Sequence, residues 1–373
     1  MERYKNSSNK IKILYIISVS GLNSPSTIVR AEIYKNSFLN DSIYLADYYY
    51  LFSKTLDKII FLLKKKKHTK YFSAPFMFFN YFIKILKKFW LFIKLDDYSA
   101  IIVIKYFDKN YLKKIKLNYS GKILFDFDDA IWTKEFGGDQ SFIDILSIVD
   151  YVSCDNTYLL EESKKFCNNC FILNGPTKIN IFEPNKFFKK QNLNKIVIGW
   201  IGSPYTLFYL TEIVDVLDQL SQVYTGLEFR ICGVGTELTK IPKFKNTKLS
   251  ILPFYNQDTM IDEISNFDIG VYPLDNSVIS LGRGSLKATL YMSCAIPVVA
   301  TALGNNCNVI RNGQTGFLVN SKKEWFDVIS NLITNSELRN AIGQNGYEYV
   351  KKEYSIDFCY KQLKNNFLKD LNV

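Results

Sequence analysis

Short unbroken apolar runs recur along the chain, each closed by a polar or glycine-bearing turn and followed by a longer mixed stretch. In the first half these runs are IKILYIIS (Ile11 to Ser18), AIIVIK (Ala100 to Lys105), Lys122 to Phe127, and Tyr151 to Cys154. A strand covered on both faces has no wet side to alternate with, so such runs predict buried parallel strands, and the helical stretches between them predict αβ layers. The polar loop Val19 to Thr27 follows the first strand, with Arg30 in the segment after it. The pattern loosens through the lysine-rich passage Lys178 to Asn194, which reads as an interdomain linker. Alternation then resumes, and Ile356 to Leu371 reads as a closing helix. The expected organisation is two α/β domains, residues 1–190 including the linker and 191–355, followed by a C-terminal helix over 356–373.

The stretch GRGSLKATLYMSCAIPVVAT (Gly282 to Thr301) carries the most chemistry. The strand FDIGVYPL (Phe267 to Leu274) and the loop Asp275 to Leu281 precede it, and IPVVAT leads on to Ala302-Leu303-Gly304-Asn305. Strand, crossover helix and strand make a parallel unit whose ligands bind at the carboxyl ends of the strands. At that edge Gly282 and Gly284 are expected to form a tight turn and Ser285 to cap the helix. Arg283 and Lys287 add two cations to the helix N-terminus, which suits a diphosphate. Taken alone, the same residues also fit an ordinary αβ unit with solvated charges.

Charge divides unevenly. Residues 1–190 hold 30 Lys and Arg against 19 Asp and Glu, while residues 191–373 hold 17 of each, so the whole net charge of +11 lies in the first half. Coding bias would act on both halves, so the asymmetry favours a local partner. The surplus gathers at Lys64 to Lys67 and Lys70, and in a segment from about 59 to 95 that includes FMFFNYFIKILKKFWLFIK (Phe76 to Lys94). There Asn80, Lys84, Lys87, Lys88 and Lys94 recur near helical spacing among Phe, Trp and Ile. A basic aromatic helix of this kind suits an anionic membrane surface, lysines toward headgroups and aromatics below, or else packs on its own sheet. Its apolar surface exceeds one sheet-facing stripe, which favours the membrane. No nucleic-acid-binding module is present.

Length and 47% apolar content fit two globular domains, and no run reaches the roughly 18 to 20 apolar residues that span a bilayer. The expected location is cytoplasmic, peripheral at the inner face of the membrane. Seven scattered cysteines make no disulfide framework, and Cys167-Asn-Asn-Cys170 lacks the further ligands of a zinc site. The only histidine, His68, sits in the lysine run, so a histidine base is not expected.

Five pieces in order, IVIGWIGSPYT (Ile196 to Thr206), LEFRICGVG (Leu227 to Gly235), FDIGVYPL, the KATLYMSCAIPVVAT stretch from Lys287, and NGQTGFLV (Asn312 to Val319), carry a resemblance. Over roughly its last half the chain resembles the donor domain of family 4 glycosyltransferases, also called group 1, which have the GT-B fold. The resemblance implies two Rossmann-like domains facing a central cleft, with the last helix crossing back to the first. It also implies a nucleotide-diphosphate sugar as co-substrate, a glycan or lipid-linked glycan acceptor, retention of anomeric configuration, and no metal or cofactor.

On this reading Arg283, Lys287, the helix N-terminus and the hydroxyls of Ser203 and Thr206 meet the charge developing on the leaving phosphate. Gly202, Gly233 and Gly235 let backbone approach the nucleotide, Phe254 flanks its base, and Gly304 and Asn305 line the same edge. Arg30, Asp126 and Asp129 lie on the acceptor side, and Asp128 faces the cleft, where it keeps an inverting base possible. Asp126-Phe127-Asp128 also fits the D-x-D pattern by which GT-A enzymes hold a divalent ion, and Asp129 has a bland reading as the cap of Ala130-Ile131-Trp132. Many family members carry two glutamates eight positions apart in this region. Gly282 and Leu290 occupy those positions here, so a catalytically silent binding protein is the rival reading.

Overall fold

The computed structural model describes residues 10–17, 25–51, 59, 73–105, 108–133, 141–177, 195–254 and 257–371. The linker expected at 178–194 and the lysine run with His68 lie outside these. The chain divides into two compact units, residues 1–176 with 356–373, and residues 177–355. The N-terminal part of the first unit thus ends at Pro176, just before the passage 178–194.

The first unit is built on six parallel strands: β1 (Ile11–Ile17), β2 (Tyr44–Tyr50), β3 (Ala100–Ile104), β4 (Lys122–Phe127), β5 (Tyr151–Cys154) and β6 (Cys170–Ile172), in the order β2-β1-β3-β4-β5-β6. All five residues of β3 are buried, as the apolar run predicts for a central strand. Successive side chains point to opposite faces, so alternate residues build two cores. Leu14, Ile101, Val103, Ile123 and Phe125 pack on one face with Leu91, Leu112 and Ile145. Ile13, Tyr15, Ile102, Ile104 and Leu124 pack on the other, and there Cys359 and Leu363 of the Ile356–Asn366 helix, with Phe367 just after it, complete the core. That helix is pinned by polar contacts as well: Tyr360 Oη and Lys364 Nζ both reach Asp41 Oδ2, at 3.1 and 2.9 Å.

The second unit repeats the plan with β7 (Ile196–Ile201), β8 (Leu227–Cys232), β9 (Leu249–Leu252), β10 (Ile269–Tyr272), β11 (Val298–Thr301) and β12 (Phe317–Val319), in the order β12-β11-β10-β7-β8-β9. All pairs are parallel. Bulky rings lie directly over small residues. A Cβ at Gly270 would sit 2.6 Å from the Tyr291 ring, and one at Gly199 would collide with Phe267. Tyr291 Oη in turn accepts the Ile201 N–H at 3.0 Å, tying the 286–293 helix to the end of β7.

One charge cluster gives this unit a pH signature. Burial pushes the Glu228 carboxyl up, but hydrogen bonds from Lys195, Arg230 and Ser250 outweigh it and hold the pKa at about 2. A carboxyl depressed in the folded state stabilises above its ordinary pKa and loses that stabilisation as pH falls. Stability of the second unit should therefore drop between about pH 4.5 and 2 by on the order of 2 kcal/mol, allowing for screening of the half-exposed Lys195. Urea unfolding across that range checks it, and Glu228→Gln should flatten the curve; an unchanged curve would refute the assignment.

Candidate donor and acceptor sites

In the second sheet, β7, β8 and β9 run outward one way and β10, β11 and β12 the other, so strand order reverses between β7 and β10. Ligands of open parallel sheets bind at the carboxyl end of that crevice. The chain leaves β7 at Gly202 and Ser203, where the Gly202 N–H donates to Cys232 O at 3.0 Å. Thr206, expected to meet phosphate, is buried, and its Oγ1 accepts the Ser203 N–H at 3.2 Å and donates to Ser203 O at 3.0 Å. It fastens the loop, leaving Ser203 as the exposed hydroxyl. After β8, Gly235 has φ +61°, and a Cβ there would lie 3.1 Å from Pro204 and 3.9 Å from Phe254. The three loops ending β7, β8 and β9 thus meet at one point, with Gly233 beside it and Phe254 exposed.

The cationic turn follows β10. The stretch expected as a loop contains a short helix, Val278–Leu281, set by the Asp275 carboxylate. Asp275 accepts from Ser277 Oγ at 2.5 Å and Ser280 Oγ at 2.6 Å, and Ser280 Oγ lies 2.9 Å from Tyr209 Oη, whose hydroxyl can donate to it. Burial pushes Asp275 up, but these hydrogen bonds outweigh it and keep it below the ordinary carboxylate range. Gly282 takes right-handed geometry, φ −82° and ψ −1°, and Gly284 is not among the glycines with positive φ. The left-handed conformation near this turn falls on Gly304, φ +52°, whose missing Cβ makes room for Leu281 O.

Ser285 stands at the N-cap of the Leu286–Ser293 helix but does not cap it. Its hydroxyl donates to Asn306 Oδ1 at 2.8 Å, while Asn306 Nδ2 donates to Thr301 O at 3.0 Å. Sequence reasoning missed Asn306, which fastens the helix start to the end of β11. Its neighbour Asn305 is buried and accepts from Asn308 Nδ2 at 3.3 Å.

Lys287, in the first turn, carries its ammonium over two rings, 4.7 Å from the Tyr272 centroid and 5.6 Å from that of Trp200. Trp200 belongs to β7 and Tyr272 to β10, so the charge stands over the strand reversal itself. Arg283, whose N–H donates to Ser280 O at 3.3 Å, lies four residues before it in the same turn. Two cations and a short helix start at a sheet switch point suit an anionic diphosphate.

In the first unit the strand ends collect charge. Arg30 and Asp126 form a buried bidentate ion pair, each side chain 1% exposed. Arg30 Nη1 also donates to Leu173 O at 2.6 Å, and Ser153 Oγ donates to Asp126. Both were expected to touch an acceptor; their polar atoms are directed at one another and at the sheet. Burial opposes the Arg30 charge and Asp126 more than offsets it, so the guanidinium pKa is raised.

Lys105, which ends the run AIIVIK, escaped sequence reasoning. It has φ +55° and is 6% exposed, and its Nζ meets Asp128 Oδ1 at 2.7 Å and also Asp129. Asp129 therefore pairs with Lys105, and residues 130–132 form turns in place of the helix it was expected to cap. Asp155, just after β5, joins the group. Burial and the Asp128 and Asp129 carboxylates push it well above the usual carboxylate range, against the pull of Arg30 and Lys105. A strand-terminal lysine after an all-apolar run was the signal available for Lys105. Among the described residues no set of three or more His, Cys, Asp or Glu is placed to hold a metal ion.

The basic aromatic segment forms a helix, Ala74–Lys94, as its spacing predicts. Lys87 Nζ donates to Tyr50 O at 2.7 Å and Lys88 Nζ to Asp108 Oδ2 at 2.8 Å, while Tyr49 and Tyr111 hydroxyls donate to the Lys87 and Lys88 carbonyls. Burial and the neighbouring Lys88 hold Lys84 below its ordinary pKa. Of the lysines expected to face headgroups, Lys87 and Lys88 turn toward their own domain, where carbonyl and carboxylate partners wait, and Lys94 is exposed. The aromatic side is left exposed. Among the described residues no helix is long and apolar enough to cross a membrane.

Comparison with known proteins places this geometry. Residues 195–335 match the family described as Glycosyl transferases group 1. An uncharacterised glycosyltransferase of Methanocaldococcus jannaschii is 32% identical over 151 residues, 39% of this chain and 41% of that protein. The Staphylococcus aureus capsular polysaccharide biosynthesis glycosyltransferase CapM is 29% identical over 196 residues, 50% of each chain. The chain thus spans half or less of the length of these curated relatives. Anabaena HepE, solved in complex with UDP and glucose, aligns over 96% of this chain and 100% of its own at a TM-score of 0.67 and 14% identity. A glycosyltransferase from Rickettsia africae aligns over 97% and 99%, at a TM-score of 0.67 and 15% identity. Residues 195–335 thus resemble the glycosyl transferases group 1 family, and the two parallel six-stranded sheets have the GT-B fold.

Proposed function

We propose that the chain transfers a sugar from a nucleotide-diphosphate sugar to a surface-glycan acceptor, lipid-linked and met at the inner face of the membrane, with retention and without a metal. The observation that carries this reading is the Lys287 ammonium over the Tyr272 and Trp200 rings at the strand reversal, with Arg283 in the preceding turn. Breaking the bond between sugar and diphosphate develops oxocarbenium character on the sugar and negative charge on the leaving phosphate. Fixed cations and helix N–H groups stabilise that charge without reorganising, which is the largest single catalytic effect in many enzymes. In this reading Ser203 reaches the phosphates from the β7 loop, and Phe254 flanks the base. Gly202, Gly233, Gly235, Gly304 and Asn305 shape the walls.

On the acceptor side, Asp128 and Asp129 accept hydrogen bonds from sugar hydroxyls, and the ion pairs with Lys105 hold both in place. Arg30 and Asp126 act beneath them as positioning residues. The role of CapM in capsule synthesis supports a surface glycan, and UDP bound in HepE supports a nucleotide sugar. The resemblance to family 4 supports retention.

A panel of nucleotide sugars with lipid extracts tests the proposal. Release of nucleotide from one donor, unchanged by chelator and yielding product of the donor's anomeric configuration, is the expected result. Activity lost to chelator would remove metal independence. Binding of a donor with no turnover for any acceptor would favour the silent binding protein, which Gly282 and Leu290 at the family's glutamate positions already motivate.

A further inference from the structure

We propose that the Ala74–Lys94 helix is an in-plane membrane anchor that enters the bilayer with its aromatic face, so that binding rests on apolar insertion and not on its lysines. This deepens the membrane-surface reading above and rests on it. At 3.6 residues per turn, Phe78, Phe82, Ile85, Phe89, Trp90 and Ile93 fall within one half of the helix circumference. Each of them is between 49% and 75% exposed. No charge interrupts that half. Lys84, Lys87 and Lys88 stand on the other side, where Tyr50, Asp108 and the aromatic rings of Tyr49 and Tyr111 engage Lys87 and Lys88. Lys94 lies at the helix end, exposed.

An uncharged apolar patch of this breadth marks an interaction surface, and its width selects the occupant. A partner helix or sheet covers a stripe of roughly 100° and would leave much of the aromatic sector wet. A bilayer interface covers the whole sector and gives Trp90 and Tyr81 their preferred level, ring in the acyl boundary and polar atom at the headgroups. The helix is not apolar enough to span, so it lies in the plane.

The test uses the full chain with vesicles of pure phosphatidylcholine and of phosphatidylcholine mixed with phosphatidylglycerol, at low salt and at about 0.5 M salt, where exposed charges are screened. Trp90 serves as reporter, being 58% exposed while Trp200 and Trp325 are buried and Trp132 is half-buried. The expected result is flotation with both vesicle types, a blue shift of tryptophan emission, and only modest loss at high salt. Phe82→Ser with Phe89→Ser, both exposed and so harmless to folding, should lower the partition coefficient by about tenfold or more, with thermal unfolding unchanged. Lys94→Gln should leave it within about twofold.

Binding confined to anionic vesicles, abolished by salt and indifferent to the double serine variant, would overturn the anchor while leaving the membrane reading intact. No binding to any vesicle would overturn both. Lipid-free dimerisation that the double serine variant abolishes would assign the face to a second copy of the chain and overturn the proposal as well.

Discussion

Replacing Lys287 with alanine is expected to lower turnover about a hundredfold while leaving the fold intact. Removing one preorganised donor to a developing anion costs on the order of 3 kcal/mol of barrier. Lys287 is suited to that role because its ammonium is placed by two ring faces that belong to separate strands, Trp200 on β7 and Tyr272 on β10. Lys287→Met keeps the apolar stem between the rings and removes only the charge, so equal losses in the two variants identify the ammonium as the cause. Arg283→Ala should behave similarly. The double variant should fall short of the product of the two losses, since both groups serve one anion. Steady-state kinetics with the donor found by the panel, alongside nucleotide binding by calorimetry, measures this. A double variant with full donor affinity and turnover would remove the phosphate-binding role of this turn.

Arg30→Ala is expected to destabilise the first unit by about 3 to 5 kcal/mol, because it leaves the Asp126 carboxylate buried without its partner. Asp126 is 1% exposed, lies on β4 opposite Ser153 of β5, and supports through its backbone carbonyl the N–H of Lys105 at 2.7 Å. A loss of that size is a large part of the roughly 5 to 15 kcal/mol available to a domain. Replacing both partners, Arg30→Met with Asp126→Leu, removes the two charges together and should recover most of the stability. Urea unfolding followed by hydrogen exchange in each unit separates the first sheet from the second. Arg30→Ala with unchanged stability but a raised acceptor KM would instead assign Arg30 to direct acceptor contact.

The two units show how unequally sequence reports structure. The central strands were legible because parallel strands buried on two faces are written as apolar runs, and AIIVI, IVIGWI and VVAT need no distant residue to be recognised, whereas the half-exposed β2, β6 and β9 were not. The donor-side order of motifs was legible for the same reason, since turn, helix and strand follow one another locally. Lys105 and Asn306 were not. A lysine after a strand and an asparagine after a turn acquire meaning only when Asp128 and Asp129, or Ser285, arrive from another strand end. Ser285 illustrates the converse: at a helix start its local preference is to cap, and the distant Asn306 amide outcompeted that preference.

What the sequence alone determined is therefore the central strands, the family resemblance of residues 195–335, and the presence of two cations in a glycine-flanked turn, all consequences of neighbouring residues and backbone geometry. Tertiary structure decided the rest: that Arg30 meets Asp126, 96 positions away, and that Lys87 and Lys88 of the Ala74–Lys94 helix face inward. Helical periodicity gives the angle between the polar and apolar sides and is silent on which one meets the protein. The choice is made by partners from other elements, where Tyr50 and Asp108 offer oxygen acceptors to Lys87 and Lys88, and the aromatic face is left exposed.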